Sequence, residues 1–571
     1  MPLAANLPAY DPQVEVELAQ AEVLGGRAQR AIGRLETVLQ AAPDQIVAAY
    51  WLAAARGAAG DWSGFNTGLQ MARNSHSLGV IAHAGGDVAA LLSDPDYAKQ
   101  VGDALYGAHN VAVASAAYAC AAAAPGASPM AMLSYGLSLQ HQGRTDEALA
   151  AFVSACEAFP QSPVIRSFLL YILFHVDDGV RRHAEEATRW SQAYAAQPLP
   201  RATDFPNRPL EGRRLRIGYV APGLGNQLRQ FLVPVLENHD RETTHITVYT
   251  NAPAPFEVPA DTVRVLGEMS DTDAARLVRK DRIDILIDLW GHTSGSRLGM
   301  FGLKPAPIQV SWMNYVQTTG MPAMDYVLHP DGFIVPGAQA HMVETIWPIG
   351  PVMSPFRPDP RPDPSPTPAK AAGFVTFASY NHPIRLNDQT LEAWARILLR
   401  TPGSRLILRY RYYVDEVLQN VTLMRFAARG VAPDRIQFHG QIAQPDYYRS
   451  YAEIDIALDP APCPGGTTSM DAVANGVPVL TFAGQDYYSR TGIVAVGPLG
   501  LDELITYSWD DYVDRAVELA SDIPALDALR ARVRSAFDAS ARCDDLGFTR
   551  MIEGEFRKMF ALWRERREAG R

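Results

Sequence analysis

"CPGGTTSMDAVANGVPVLT", residues 463 to 481, is the stretch on which the fold turns. Adjacent glycines, Gly465 and Gly466, let the backbone come close to a ligand. Thr467 and Thr468 then place hydroxyls and backbone N–H groups at the first turn of a helix running to about Ala474, where unpaired amides and the helix dipole favour an anion. "GVPVLT" reads as a turn into a short apolar strand, so the loop lies inside an α/β unit. Two readings fit this pattern. One is a phosphate-binding loop; the other is a capped connecting helix that holds nothing, since Gly-rich strand-to-helix loops are common.

The same texture extends in both directions. "LRIGYVAPG" at 215–223, "HITVYT" at 245–250 and "IDILIDLWGHTSG" at 283–295 read as strands with helical patterns between them. Further on, "FVTFASY", "SRLILRY", "DRIQFHG", "DIALDP" and "PVLTFAG" repeat the alternation. Alternating strands and helices predict parallel sheets with crossover helices, and ligands bind at the carboxyl ends of such strands. A Pro-rich linker, "RPDPRPDPSPTPAKAAG" at 357–373, separates the two sets.

The first 200 residues differ in kind. They are Ala-rich and almost without strand-like alternation. In "MAMLSYGLSLQHQGRTDEALAAFVSACEAFP", residues 130–160, Gly136, Leu139, Ala148, Phe152, Ala155 and Pro160 have the spacing of a tetratricopeptide unit. A looser unit ends at Pro43 and another at Pro125. Such helix pairs stack into a superhelix whose concave side holds a peptide or protein. The expected organisation is therefore a tetratricopeptide-like helical array over 1–195, a joint over 196–213, an α/β half over 214–356, the linker 357–373, and an α/β half over 374–571 ending in a helix.

Composition narrows the function. The 571 residues carry a formal net charge of −11, which argues against a nucleic-acid partner. Four cysteines stand at 120, 156, 463 and 543 without a C-x-x-C pair or a histidine cluster at ligand spacing, which suggests a reducing compartment. "MPLAANLPAY" lacks a basic n-region and an apolar h-region, and no apolar stretch approaches bilayer length. The expectation is a cytoplasmic protein with no membrane partner.

Three blocks carry a family resemblance: "GHTSGSRLGMFGLKPAPIQVSWMNYVQTTGMPAMDYVL" at 291–328, "FASYNHPIRLNDQTLEAWARIL" at 377–398 and "PCPGGTTSMDAVANGVPVLTFAGQDYYSR" at 462–490. They resemble the protein O-GlcNAc transferase and SPINDLY family of glycosyltransferases, over roughly 214–565 and with tetratricopeptide repeats ahead, as in that family. The resemblance implies two Rossmann-like domains in the GT-B arrangement. It also implies a nucleotide-sugar donor bound mainly by the second half, and transfer to a protein hydroxyl. No metal or other cofactor is implied.

Under that resemblance, Gly465, Gly466, Thr467 and Thr468 hold the donor's diphosphate, and Asp471 accepts from the ribose hydroxyls unless it is a solvated helical carboxylate. Arg385 stands where relatives have lysine, and a cation there would neutralise the departing phosphate. His382 stands where relatives place a polar side chain near the nucleotide. Gly291, His292 and Thr293 would lie across the cleft from the donor, with His292 the histidine nominated as titratable. Asp281, read as the start of the preceding strand, matches an acid in relatives.

The first half departs from the family pattern. In "GYVAPGLGNQLRQFLVPVL", 218–236, Asn226 or Gln227 replaces the expected histidine, and neither amide is a general base near neutral pH. Gln227 is then left to position sugar or acceptor. The leading reading is a protein O-glycosyltransferase whose repeats bind the acceptor. The donor stays open among UDP-GlcNAc, a GDP-sugar, and a CMP-linked nonulosonate as in flagellin-modifying relatives. A catalytically inactive nucleotide-binding scaffold is the alternative from another class.

Overall fold

A computed structural model describes residues 11–197, 200, 202–358 and 365–570, without the side chains of 202, 226 and 227. It shows a helical N-terminal repeat region and two parallel-sheet Rossmann-like domains. Two compact units emerge, each discontinuous in sequence: 1–144 with 372–442 and 513–521, and 145–371 with 443–512 and 522–571.

In the first unit, eight helices precede the strands, from Pro12–Leu24 to Pro129–His141. Their starts are written in side chains. Asp61 accepts from the Gly64 N–H, Asp94 from Asp96 and Tyr97, and Ser128 from Ala131. Each cap of this kind is worth about 1 kcal/mol. Small residues then allow close helix approach, as Ala48, Ala53, Ala54 and Ala55 are fully buried. Trp51, Phe65 and Leu69 of this array share one apolar cluster with Met424, Ala427 and Ala428 of the helix Glu416–Ala427 and its cap. The region read as a repeat at 130–160 forms the helices Pro129–His141 and Thr145–Ala158, with Gly136 and Leu139 buried on one and Ala148, Phe152 and Ala155 on the other.

The first sheet lies wholly in the second unit. Its strands are β1 (Leu215–Ala221), β2 (Thr244–Thr250), β3 (Thr262–Val265), β4 (Ile285–Asp288), β5 (Ile308–Ser311), β6 (Tyr326–His329) and β7 (Thr345–Pro348), in the order β3-β2-β1-β4-β5-β6-β7. All pairings are parallel. Strand order reverses between β1 and β4, the switch point where open α/β sheets leave a crevice beyond the carboxyl ends. The C-terminal helix Asp545–Glu568 packs on this sheet, burying Ile552, Phe556, Met559 and Phe560 with Ile217, Val248 and Leu232.

The later strands form a parallel set in each unit. In the first unit β8 (Thr376–Ser379), β9 (Arg405–Arg409) and β10 (Ile436–His439) run parallel in the order β10-β9-β8. In the second unit β11 (Ile456–Leu458), β12 (Val479–Phe482) and β13 (Ile505–Thr506) run parallel in that order.

Candidate active site

The loop after β11 is built around a carboxylate. Asp459 is buried, and its Oδ1 accepts from the Gly465 N–H at 3.2 Å and from the Ser469 hydroxyl at 2.6 Å. Tyr512 donates to the Asp459 carbonyl at 2.9 Å. The bracing leaves no room at residue 465, where a Cβ would fall 2.1 Å from Ser469 Oγ and 2.8 Å from Asp459 Oδ1. Gly466 precedes the helix Thr467–Ala474, whose start carries no side-chain cap. The backbone amides of that first turn carry the positive end of the helix dipole, which suits an anion.

Asp471, on the same helix, is not solvated. It is buried, Tyr447 donates to its Oδ2 at 3.1 Å, and burial pushes its carboxyl up to about 7. A carboxyl poised near neutrality can accept or donate a hydrogen bond according to its protonation.

The turn after β8 lies in the first unit. His382 precedes the short 3-10 turn Pro383–Arg385, and its Nδ1 accepts from the Ile384 N–H at 3.0 Å. Its Nε2 lies 2.8 Å from Nδ1 of His141. Arg385 closes the turn, with Nη1 3.5 Å from Asn381 Oδ1.

At the switch point of the first sheet, β4 ends in Asp288. This buried carboxylate accepts from the N–H of Trp290 at 3.2 Å and of Gly291 at 2.8 Å, and burial raises it to about 6. His292 follows, itself buried, with Nε2 2.9 Å from the Thr319 carbonyl. The carbonyl can only accept, so the proton sits on Nε2, and burial lowers the ring to about 4. His292 is therefore a neutral imidazole, packed edge-on against Trp190 and beside Tyr315. Thr293 donates to the Trp290 carbonyl at 2.8 Å. A cavity of about 270 Å³ opens here, lined among others by His292, Thr293, Phe168, Trp190 and Tyr194.

Asp281 is placed differently from its sequence reading. It is the last residue of the helix Asp271–Asp281, four residues before β4 begins, and it pairs with Arg264 at 3.0 Å and accepts from Tyr249 at 2.9 Å. The helix reaches Asp281 and is closed by Arg282 in the left-handed region, φ 54°, without the glycine that usually marks such an end. The carboxylate at the strand's carboxyl end is Asp288. The side chain of Gln227 lies outside the described residues; its backbone is in the first turn of the helix Asn226–Asn238 that follows β1.

Sequence reasoning missed Asp459, Asp288, Tyr447 and His141. For the two aspartates a signal existed, since "ALDP" and "LIDL" each place an acid at a strand's end before a glycine-bearing loop. Tyr447 meets Asp471, and His141 meets His382, only through tertiary packing within each unit.

Comparison with known proteins agrees with this architecture. The family model described as glycosyl transferase family 41 matches residues 191–341 and 368–550. A probable UDP-N-acetylglucosamine–peptide N-acetylglucosaminyltransferase SPINDLY of Solanum lycopersicum is 30% identical over 405 residues, covering 68% of this chain and 43% of that protein. The UDP-N-acetylglucosamine–peptide N-acetylglucosaminyltransferase of Caenorhabditis elegans is 24% identical over 466 residues, covering 59% and 40%. The chain thus spans less than half the length of the curated relatives it matches. A solved structure of a mutant Thermobaculum terrenum O-GlcNAc transferase superposes with a TM-score of 0.75 at 26% identity, covering 99% of this chain and 100% of that one. The family match over more than half of the residues, together with the two-sheet GT-B architecture, places this chain in glycosyl transferase family 41.

Proposed function

We propose that the protein transfers a sugar from a nucleotide-sugar donor to a serine or threonine hydroxyl of a protein acceptor. The observation that carries this reading is the Asp459-braced loop, which ends in a helix start without a side-chain cap. Such a start favours the diphosphate of a nucleotide sugar. In the reaction the acceptor oxygen bonds to the anomeric carbon as the bond to the diphosphate breaks. The developing negative charge on the leaving group suits the backbone amides of the 465–468 loop; the role proposed for Arg385, by its charge alone, is that of a phosphate-binding cation. The names of the relatives favour UDP-GlcNAc as donor and a peptide as acceptor, ahead of the CMP-linked sugar and flagellin reading. The repeat helices are the proposed acceptor surface. A reducing, cytoplasmic setting fits four free cysteines, and no helix among the described residues is long and apolar enough to cross a membrane.

Calorimetric titration with UDP, GDP and CMP tests the donor assignment. UDP is expected to bind, and Arg385→Ala to weaken it. Binding of CMP alone would shift the reading to the acidic sugars. If no nucleotide binds, or if UDP binds and no peptide accepts GlcNAc, the transferase reading fails.

A further inference from the structure

The turn that ends in Arg385 is only three residues long, Pro383–Arg385, and its N-terminal cap is the imidazole of His382. What fixes that ring fixes the turn. A backbone N–H can only donate, so His382 Nδ1, 3.0 Å from the Ile384 nitrogen, must carry a lone pair. A neutral imidazole has one N–H, which is then on Nε2. Nε2 lies 2.8 Å from Nδ1 of His141, which must therefore accept. His141 in turn holds its own proton on Nε2. The hydrogen bonds thus specify both tautomers.

The charge states follow from the same geometry. A protonated His382 would lose its cap to Ile384, and a protonated His141 would set N–H against N–H. Burial keeps the His141 ring neutral by lowering it to about 3, and the neighbouring Arg411 acts in the same direction. Tyrosine rings also face the pair: Tyr106 and Tyr412 lie 5.7 and 4.7 Å from the His141 ring, and Tyr410 lies 4.6 Å from that of His382.

A second contact is independent of the rings. Gly143, two residues beyond His141, has φ +75°, and a Cβ there would lie 2.7 Å from the Pro383 carbonyl oxygen. The end of the repeat helix Pro129–His141 therefore abuts the backbone of the turn itself.

We infer that His141 is a positioning residue: by accepting from His382 Nε2 it orients the cap of the turn on which Arg385 is carried. The inference deepens the proposed function and rests on its assignment of Arg385 to the diphosphate. It makes the repeat array part of the donor site's scaffold, in addition to an acceptor surface.

The test compares two substitutions in the full chain. In His141→Asn the amide oxygen stands where Nδ1 stood and still accepts; in His141→Phe the ring bulk remains and the acceptor is gone. UDP and UMP are titrated against each, with Arg385→Ala as reference. His141→Phe is expected to weaken UDP about tenfold or more while leaving UMP unchanged, since a misplaced group costs up to about 10²-fold, and His141→Asn to stay near the wild type. A purely structural role for His141 predicts the reverse order, with Phe tolerated and Asn not; that result, or two variants equal to wild type, overturns the proposal. If Arg385→Ala leaves UDP affinity unchanged, the reading of Arg385 fails by itself. The proposal is then decided by the imidazole nitrogen resonances of the unmodified, histidine-labelled protein. The Nε2–H tautomer at His382 with an unprotonated Nδ1 at His141 supports it; an Nδ1–H tautomer or a charged ring at His382 overturns it.

Discussion

Two loops in the second unit begin in the same way and end differently. After β4, Asp288 accepts from backbone N–H groups two and three residues ahead; after β11, Asp459 accepts from groups six and ten residues ahead. The short reach closes a tight turn and draws the next side chain, His292, into the interior as a neutral ring. The long reach spans the loop and seats the beginning of a helix whose N-cap residue, Gly466, has no side chain to cap it. One strand-end carboxylate thus makes a packed corner, and the other braces the loop proposed to hold an anion. Residue type is the same in both; the span of chain that the carboxylate holds decides between structure and binding.

Breaking the long brace has the largest expected effect. Asp459→Ala leaves the Ser469 hydroxyl and the Gly465 amide buried without their acceptor, at about 1–3 kcal/mol for each. Nucleotide binding should be lost with the loop, as calorimetry and denaturant unfolding would show together. Retained affinity would mean that the brace does not shape the site. Gly465→Ala comes next, at about 1–3 kcal/mol for forcing a Cβ against Ser469 and Asp459. It should again weaken nucleotide affinity, whereas alanine on the β4 loop should not.

The two loops can also be separated by pH. Asp288 and Asp471 are both raised by burial, to about 6 and about 7. Each therefore adds stability that is fully present below the unfolded carboxyl value of about 4 and is lost as pH rises through the folded one. Asp288→Asn should flatten stability against pH up to about 6, and Asp471→Asn up to about 7, with nucleotide affinity changing only in the second. Melting curves between pH 4 and 8 measure both, and identical profiles for the two variants would contradict the assignment. The smallest effect belongs to Arg449→Ala. It removes an exposed ion pair to Asp446, 2.9 Å long and two residues from Tyr447, and is expected to cost under about 0.5 kcal/mol.

Much of the architecture was legible because its elements are long or strongly patterned. Eight strands announced themselves as apolar runs bounded by turns. The strands β3, β5, β6, β7 and β13 did not: β3 and β7 are half-exposed edge strands without an apolar run, and β13 is two residues long. The Gly-Gly-Thr-Thr loop was legible from composition alone. Its brace was not singled out, although Asp459 ends a strand that was. Asp281 was misplaced because the helix it ends is closed by Arg282 rather than by a glycine. The His141–His382 contact joins positions 241 residues apart, which no local pattern encodes.

The sharing of one apolar cluster by Trp51, Phe65, Met424 and Ala427 has a consequence for how the chain comes into being. The array emerges from the ribosome first, yet the side chains that cover it are synthesised several hundred residues later. At roughly 5–20 residues per second this is a delay of tens of seconds. The second unit waits longer still, because the helix that completes the core of its first sheet, Asp545–Glu568, is made well after that sheet's last strand, Thr345–Pro348. Neither unit can therefore finish folding in the order in which it is translated. The nascent array must carry its uncovered apolar face until the helix Glu416–Ala427 has been made.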